Sequence, residues 1–497
     1  MQISQKKKGF TSGIGFILAA AGSSIGLGNL WSFPFKTANY GGGAFVFVYI
    51  LCVLFIGVIA MMCEIFLGRR ASANPVTAFK KANKHLGWVG LLVITCSFLI
   101  SCYYLVLGGY TAKYSVGSFF GNENFAGFTS NYWLVIGCTA LFAIFALIII
   151  IGGIKDGIEK FSKVLMPVLF ILLLVVVVIS LCQGPGVAEG LQYYLLPDFS
   201  KISFKVILAA MGQAFYSLSL GMGAMMVYGS YTGKEVNLGK STAMICVFDT
   251  AVALFAGLAI FPSVFHYAAV AGENLSTLKM DGMSLLFTTL PKVFSSMGVF
   301  GMIVSFMFFA MVVIAAVTSV ISILEVASQF VIQKFKIKRK VASSIVTLVA
   351  FLISIAVAFS IGQMYSGTLT IQILGVSLFE LLDSLANIVF MPVAAFVICI
   401  TVGWIIGAKK SAEEIEESGT KLGWFKHVFI VMSKFITPLL ILVVEIFGVK
   451  DTVFPGGAFS VSGLAVVLIG FGIIAVLVAV YYLLLYKKDT GVNADEI

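Results

Sequence analysis

A chain of 497 residues that is 60% hydrophobic and 11% charged, with a mean hydropathy of +1.07, is not a string of soluble domains, which carry roughly 25% charged residues. Its apolar surface is too large to be covered by its own polar groups, so lipid is the solvent for most of it. The net charge of +10 would suit a nucleic-acid binder, but the placement of the charges explains it without such a partner.

A membrane-spanning helix needs roughly 20 apolar residues. Twelve stretches qualify, centred near Leu18, Val53, Ile100, Leu141, Leu172, Ala214, Leu254, Met311, Phe351, Val397, Leu440 and Val476. None alternates as a barrel strand does. The first follows Lys6, Lys7 and Lys8 but runs on through Gly, Asn and Pro with no Ala-x-Ala exit, so it reads as a retained helix and not a leader. With the N-terminus inside and twelve crossings, 25 of the 32 Lys and Arg residues fall on the cytoplasmic side. The outside keeps Lys36, Lys113, Lys201, Lys205, Lys279, Lys292 and Lys450. That asymmetry places both termini in the cytoplasm, and anionic lipid headgroups are the only partner the charge requires.

Taken in order, the spans divide the chain as follows. Residues 1–10 are a cytoplasmic segment, 11–182 hold helices one to five, 183–203 an outer loop, and 204–407 helices six to ten. Residues 408–427 are a cytoplasmic loop, 428–487 helices eleven and twelve, and 488–497 a cytoplasmic tail. Helix one carries Gly22-Ser23-Ser24-Ile25-Gly26-Leu27-Gly28-Asn29, and helix six carries Ser217-Leu218-Ser219-Leu220-Gly221-Met222-Gly223. Both contain Ser-x-Gly-x-Gly at mid-membrane, five helices apart, the arrangement expected of a transporter built from two inverted repeats. Glycine leaves a helix at least cost. At membrane depth the freed N–H and C=O groups are tolerable only around a ligand or a wet cavity. Close helix packing through small residues is the other reading.

Each polar group inside the membrane needs an account. Helix two has Glu64, read as a structural residue that holds the broken backbone of helix one or six. Helix three has Tyr103-Tyr104, helix six Gln213 and Ser217, helix seven Asp249, and helix eight Thr318-Ser319 and then Glu325, to which no role is given. Hydroxyls, amides and a carboxylate are hard oxygen donors that suit a small hard cation. The eight cysteines have neither metal-ligand nor disulfide-framework spacing. No phosphate loop and no nucleophile with its base appears, so an ATP-driven pump and an enzyme are set aside.

The run Gly22 to Pro34, GSSIGLGNLWSFP, followed by Gly41-Gly42-Gly43-Ala44-Phe45, closely resembles the first helix of the neurotransmitter:sodium symporter family, as in LeuT-like bacterial amino-acid transporters. The resemblance continues through Glu64 and Gly68-Arg69, Tyr103-Tyr104, Gly157 to Phe161, Pro197-Asp198-Phe199, Gly212 to Gly221 and Thr318-Ser319, covering helices one to ten. It implies an all-α polytopic membrane protein of the LeuT-like fold, with twelve transmembrane helices, a 5+5 inverted repeat and broken helices one and six.

The resemblance also implies two Na⁺ sites. One uses Ser24, Asn29, Ser217 and a helix-seven acceptor at or beside Asp249. The other uses carbonyls of Gly22, Ile25 and Ala315 with the hydroxyls of Thr318 and Ser319. It implies a substrate pocket of Ser24, Gly28, Ile100, Tyr104, Tyr216, Ser219, Met222, Ser319 and Ile323, with Tyr216 as outer lid. Gly26 stands where amine carriers of the family place an Asp, which favours a substrate with its own carboxylate. The apolar wall points to a hydrophobic or aromatic amino acid.

Two departures from the family bear on the gates. Ser32 replaces the usual outer-gate Arg, whose acid would be Asp383, and Lys36 one turn on is the candidate substitute. At the inner gate the basic residue is Lys7, but the expected acid falls on Gln333. Chloride-dependent relatives hold the anion with a neutral helix-seven residue. Asp249 would supply that negative charge internally, and it also serves as a sodium ligand if it takes the Asn role. The expectation is therefore sodium-coupled symport of an α-amino acid across a bacterial inner membrane. An amino-acid-binding membrane receptor without transport is the alternative. The oligomeric state is left open.

Overall fold

A computed structural model describes residues 9–486 other than 121–124, 234, 275–277, 279–281, 367–371, 374 and 418. Lys7 lies outside the described residues. Among those described, ten helices are long and apolar enough to cross a bilayer, or eleven when a bent pair is counted as one span.

The bent pair is α1. Its halves, Gly13–Ser24 (α1a) and Gly28–Asn39 (α1b), meet at 50°. Ser12 caps α1a by accepting from Gly15 N at 3.0 Å, and Ile25 ends it in extended backbone (ψ 106). The continuous helices that follow are α2 (Gly43–Ala71), α3 (Lys84–Gly117), α4 (Tyr132–Ile151) and α5 (Ile154–Leu181). A second interrupted element, α6, consists of Phe204–Ser217 (α6a) and Ala224–Gly229 (α6b). Between its halves Ser219, Gly221 and Gly223 take φ of 54°, 75° and 81°. Two of those three left-handed positions are glycine, the residue for which such backbone carries no Cβ penalty. Then come α7 (Leu238–Ala271), α8 (Gly298–Phe335), α9 (Arg339–Ile361), α10 (Leu378–Ile405), α11 (Phe425–Val453) and α12 (Val461–Tyr486).

The connection between α5 and α6, expected as an outer loop, holds a helix at Val187–Leu195. The one between α7 and α8 holds short helices ending at Ser295. Between α9 and α10, Gln372–Ile373 pairs antiparallel with Val376–Ser377. The charged segment after α10, expected as a loop over residues 408–427, forms the helix Ala408–Glu417.

Packing explains where the site lies. The halves of α1 sit inside the bundle, with α1a against α5, α7 and α8, and Ala19, Ala20, Ala21, Ile25 and Leu27 are fully buried. α3 and α8 lie along each other beside them. On the other side α6b meets α2 backbone to backbone. A Cβ on Gly68 would lie 1.8 Å from the Met226 carbonyl oxygen, and one on Gly229 would lie 2.3 Å from that of Ile65. By contrast, α4, α11 and α12 expose large apolar side chains such as Leu141, Leu439 and Leu468, as lipid-facing helices do.

Candidate functional site

The breaks in α1 and α6 lie side by side. Unwinding leaves backbone groups without helical partners, and side chains from four helices meet them. Ser219 donates to the Ser23 carbonyl at 3.3 Å, and Gln213 Nε2 donates to the Gly28 carbonyl at 2.8 Å. Leu27 N donates to the Tyr104 hydroxyl of α3 at 2.8 Å. From α8, the Ser319 hydroxyl donates to the Ile25 carbonyl at 3.1 Å. Ser23 donates to Ser322 Oγ at 2.7 Å, which in turn donates to the Ser319 carbonyl at 2.6 Å.

The gap in α6 is held by Glu64 of α2, which is 1% exposed. Its two oxygens accept from Gly221 N at 2.9 Å and Gly223 N at 3.0 Å, with the N–H groups of Met225 and Met226 alongside. A carboxylate here serves the orphan donors at the start of α6b, where the helix dipole favours negative charge.

All nine residues expected to contact substrate, Ser24, Gly28, Ile100, Tyr104, Tyr216, Ser219, Met222, Ser319 and Ile323, line one cavity of about 20 Å³, together with Ser23 and Gly26. Gly26 faces straight into it. A Cβ there would lie 2.5 Å from both Ser319 Oγ and Tyr104 OH.

The first expected cation set is also assembled. Asp249 is fully buried and accepts from Ser217 Oγ at 2.7 Å and from Asn29 Nδ2 at 2.9 Å. Asn29 Nδ2 also reaches Ser217 Oγ at 2.9 Å, while Asn29 Oδ1 accepts from Gly26 N at 3.0 Å. Tyr49 donates to Ser217 Oγ at 3.2 Å. Ser24, at the end of α1a, bonds its hydroxyl back to Ala21 at 3.1 Å. In the second set Thr318 packs on Gly22, its Cβ 3.2 Å from where a Gly22 Cβ would stand. The Thr318 hydroxyl is bonded back to the Ala315 carbonyl at 3.1 Å. Ser319 and Ile25 complete that group. Both clusters are oxygen-rich and contain no thiolate or imidazole, a composition suited to a hard cation.

The gate residues are arranged less simply. Ser32, Lys36 and Asp383 all line a cavity of about 580 Å³ that also takes in Tyr216. Ser32 donates to Gln213 at 2.8 Å. Asp383 is bonded to Asn387 at 2.6 Å, and among the described residues it forms no ion pair with Lys36 within 4.0 Å. At the other end Gln333 accepts from both Asn74 N (3.0 Å) and Asn74 Nδ2 (2.7 Å). It thereby steadies the residue that caps the helix Pro75–Ala82.

The strong charges at that end lie elsewhere. Glu325, fully buried, receives a two-pronged contact from Arg339 at 2.6 and 2.9 Å, and Tyr231 bonds to both. Phe10 N reaches the Tyr231 carbonyl at 3.3 Å. Thr11 N bonds Glu159 at 2.8 Å, and Lys163 closes on the same carboxylate at 2.6 Å. The sequence signal for this network was the acid of a membrane helix, Glu325, which must have a partner. Nothing in spacing identified Arg339, at the head of the next helix, as that partner.

Comparisons with known proteins agree with this architecture. Residues 7–143 and 127–488 match the family model described as the sodium:neurotransmitter symporter family. The uncharacterised sodium-dependent transporter YhdH of Bacillus subtilis is 32% identical over 88% of this chain and 97% of its own. An uncharacterised sodium-dependent transporter of Haemophilus influenzae is 32% identical over 89% and 98%. The crystal structure of MhsT in complex with L-phenylalanine superposes with a TM-score of 0.79 at 35% identity, covering 89% of this chain and all of that one. With helices one and six interrupted, and oxygen donors gathered at the interruptions, the chain belongs to the sodium:neurotransmitter symporter family and is a sodium-dependent transporter of the LeuT fold.

Proposed function

We propose that the protein is a sodium-coupled symporter of an α-amino acid with a hydrophobic or aromatic side chain. It works by alternating access and without chloride, across a bacterial cytoplasmic membrane with both termini inside. In this reading twelve helices form a 5+5 inverted repeat around two sodium sites. One observation carries it. Residues from α1, α3, α6 and α8 converge on a single cavity, and the Asn29, Ser217 and Asp249 cluster touches the same break in α1. The apolar wall of Ile100, Tyr216, Met222 and Ile323 faces the hydroxyls and backbone of the breaks. Such a pocket suits a ligand with one charged end and one apolar end. L-phenylalanine, held by MhsT, is a ligand of that form.

The coupling has a physical route. Asn29 turns its Nδ2 toward Asp249 while its Oδ1 occupies Gly26 N–H. To ligate a cation the amide reverses, bringing Oδ1 toward Asp249 and Ser217. That releases Gly26 N–H, close to Leu27 N–H at Tyr104, to receive a carboxylate at the start of α1b. Cation and substrate each prepare the other's contacts, and the gain in affinity is reciprocal. The fixed charge of Asp249 takes the place of a chloride ion beside Tyr49, Ser217 and Gln213.

The test is uptake of a labelled amino-acid panel into proteoliposomes under a sodium gradient. Concentrative uptake that collapses when Na⁺ is replaced by K⁺, and persists when chloride is replaced by gluconate, is the expected result. Tight sodium-dependent binding without accumulation would instead identify a receptor whose gates, with Ser32 and Gln333 in place of charges, do not cycle.

A further inference from the structure

At the lysine-rich end of α10 and α11 an open cavity of about 460 Å³ is lined by Trp404, Lys409, Lys410, Glu413 and Lys434, among others. We propose that this cavity is a binding site for the phosphodiester headgroup of an anionic phospholipid, with one acyl chain lying along α11.

The local charges are arranged for an anion. Lys409 and Lys410 stand in the first turn of the ten-residue helix Ala408–Glu417, which has no acid in that turn. The helix dipole disfavours cations there, so the pair adds to a positive field already set up by the free N–H groups of the turn. Lys434 comes from the neighbouring helix. Its ammonium is 4.7 Å from the centre of the Trp404 ring and 5.2 Å from that of Phe435, and the indole N–H is anchored to the Lys434 carbonyl at 2.7 Å. Among the described residues none of these lysines has a carboxylate within 4.0 Å, although acids are close by. Glu414 is taken by Arg70 at 2.8 Å and Glu416 by Lys426 at 2.6 Å. With Glu413 included, the lining carries three positive charges and one negative.

The apolar half of the ligand is equally specified. Trp404, 53% exposed near the end of α10, is tied to the Lys434 carbonyl of α11, and indole rings settle at the bilayer interface. From there Val431, Phe435, Leu439, Leu442 and Ile446 are all exposed at helical spacing. They form one stripe that starts beside the cavity and runs into the membrane. A free phosphate would use the lysines and ignore this stripe. An acidic peptide would leave it bare in lipid. A phospholipid uses both parts, and basic pockets between helices at a membrane surface bind such headgroups.

The experiment is native mass spectrometry of the purified full chain with dioleoylphosphatidylglycerol, dioleoylphosphatidylcholine and inorganic phosphate. The expected result is saturable binding of the phosphatidylglycerol. In the K409Q/K410Q/K434Q variant it weakens on the order of 100-fold, three lysines at about fivefold each. The phosphatidylcholine is expected to bind weakly and equally to both proteins. Equal phosphatidylglycerol affinity in the two proteins overturns the site. Inorganic phosphate displacing the lipid at similar concentration overturns the lipid assignment in favour of a free-anion site. Sodium-dependent substrate binding checks that the variant is folded. A second measurement needs no lysine change: phosphatidylglycerol with brominated acyl chains should quench Trp404, seen as fluorescence quenching that Trp404→Phe removes. Quenching unaltered by that substitution would also overturn the placement.

Discussion

Replacing Glu64 by alanine tests whether one carboxylate holds the interrupted segment of α6. Its oxygens accept from Gly221 N and Gly223 N at 2.9 and 3.0 Å, in a position that is 1% exposed. Orphaning a buried donor costs about 1–3 kcal/mol, so losing both acceptors costs about 2–6 kcal/mol, all of it borne by a six-residue segment that has left its helix. The lower bound corresponds to about 30-fold in the population of the ordered segment. Apparent affinity falls with the fraction of molecules that are competent to bind. Sodium-dependent binding of the labelled substrate should therefore weaken by up to about 30-fold at that bound. Hydrogen exchange across residues 218–226 should accelerate by a similar factor, while exchange in α3 and α8 stays as it was. Glu64→Gln keeps one acceptor and should fall between. Unchanged exchange at 221 and 223 in Glu64→Ala would refute the reasoning, because those amides would then be protected by something other than the carboxylate.

Gly26→Ala places a methyl carbon 2.5 Å from Ser319 Oγ and Tyr104 OH. Overpacking of about 1–3 kcal/mol should weaken substrate binding by roughly 5- to 150-fold in a protein that still purifies as a monodisperse species, and scintillation binding reads this directly. Asp249→Asn should raise the sodium concentration for half-maximal uptake by about 10-fold or more and make uptake respond to chloride, checked by sodium titration in chloride and in gluconate. Arg339→Gln strands the fully buried Glu325, a loss of about 3–5 kcal/mol, visible as a lower melting temperature. Adding Glu325→Gln should restore part of it. Lys36→Ala should slow uptake while leaving substrate binding intact, and unchanged uptake would remove Lys36 from the outer gate.

Much of this was legible in the chain itself, and the limits have physical causes. The two Ser-x-Gly-x-Gly runs pointed to the breaks because they recur at corresponding positions five helices apart, and the left-handed backbone at Gly221 and Gly223 accords with that. Glu64 was legible as a structural group, since an acid deep in a helix must be satisfied. That it serves α6 and not α1 depends on how the helices pack. The nine lining residues of the small cavity came from resemblance and not from periodicity, for they sit on four helices far apart in the chain. The inner network was not legible. Arg339 read as one more cytoplasmic cation, and its pairing with Glu325 follows from the turn between α8 and α9. Gln333 was read only as a missing acid, whereas its amide has its own task at Asn74.

The contact between α2 and α6b has a mechanical consequence. Side chains normally form a compliant layer between helices, and rotamer changes there absorb small displacements. Across Gly68 and Gly229 no such layer exists, since even a methyl group would overlap the facing carbonyl. The two helices are thus spliced into one strut. A displacement of either helix at this contact would be passed to the other with little slack. Any side chain introduced at either glycine would have to force the two helices apart.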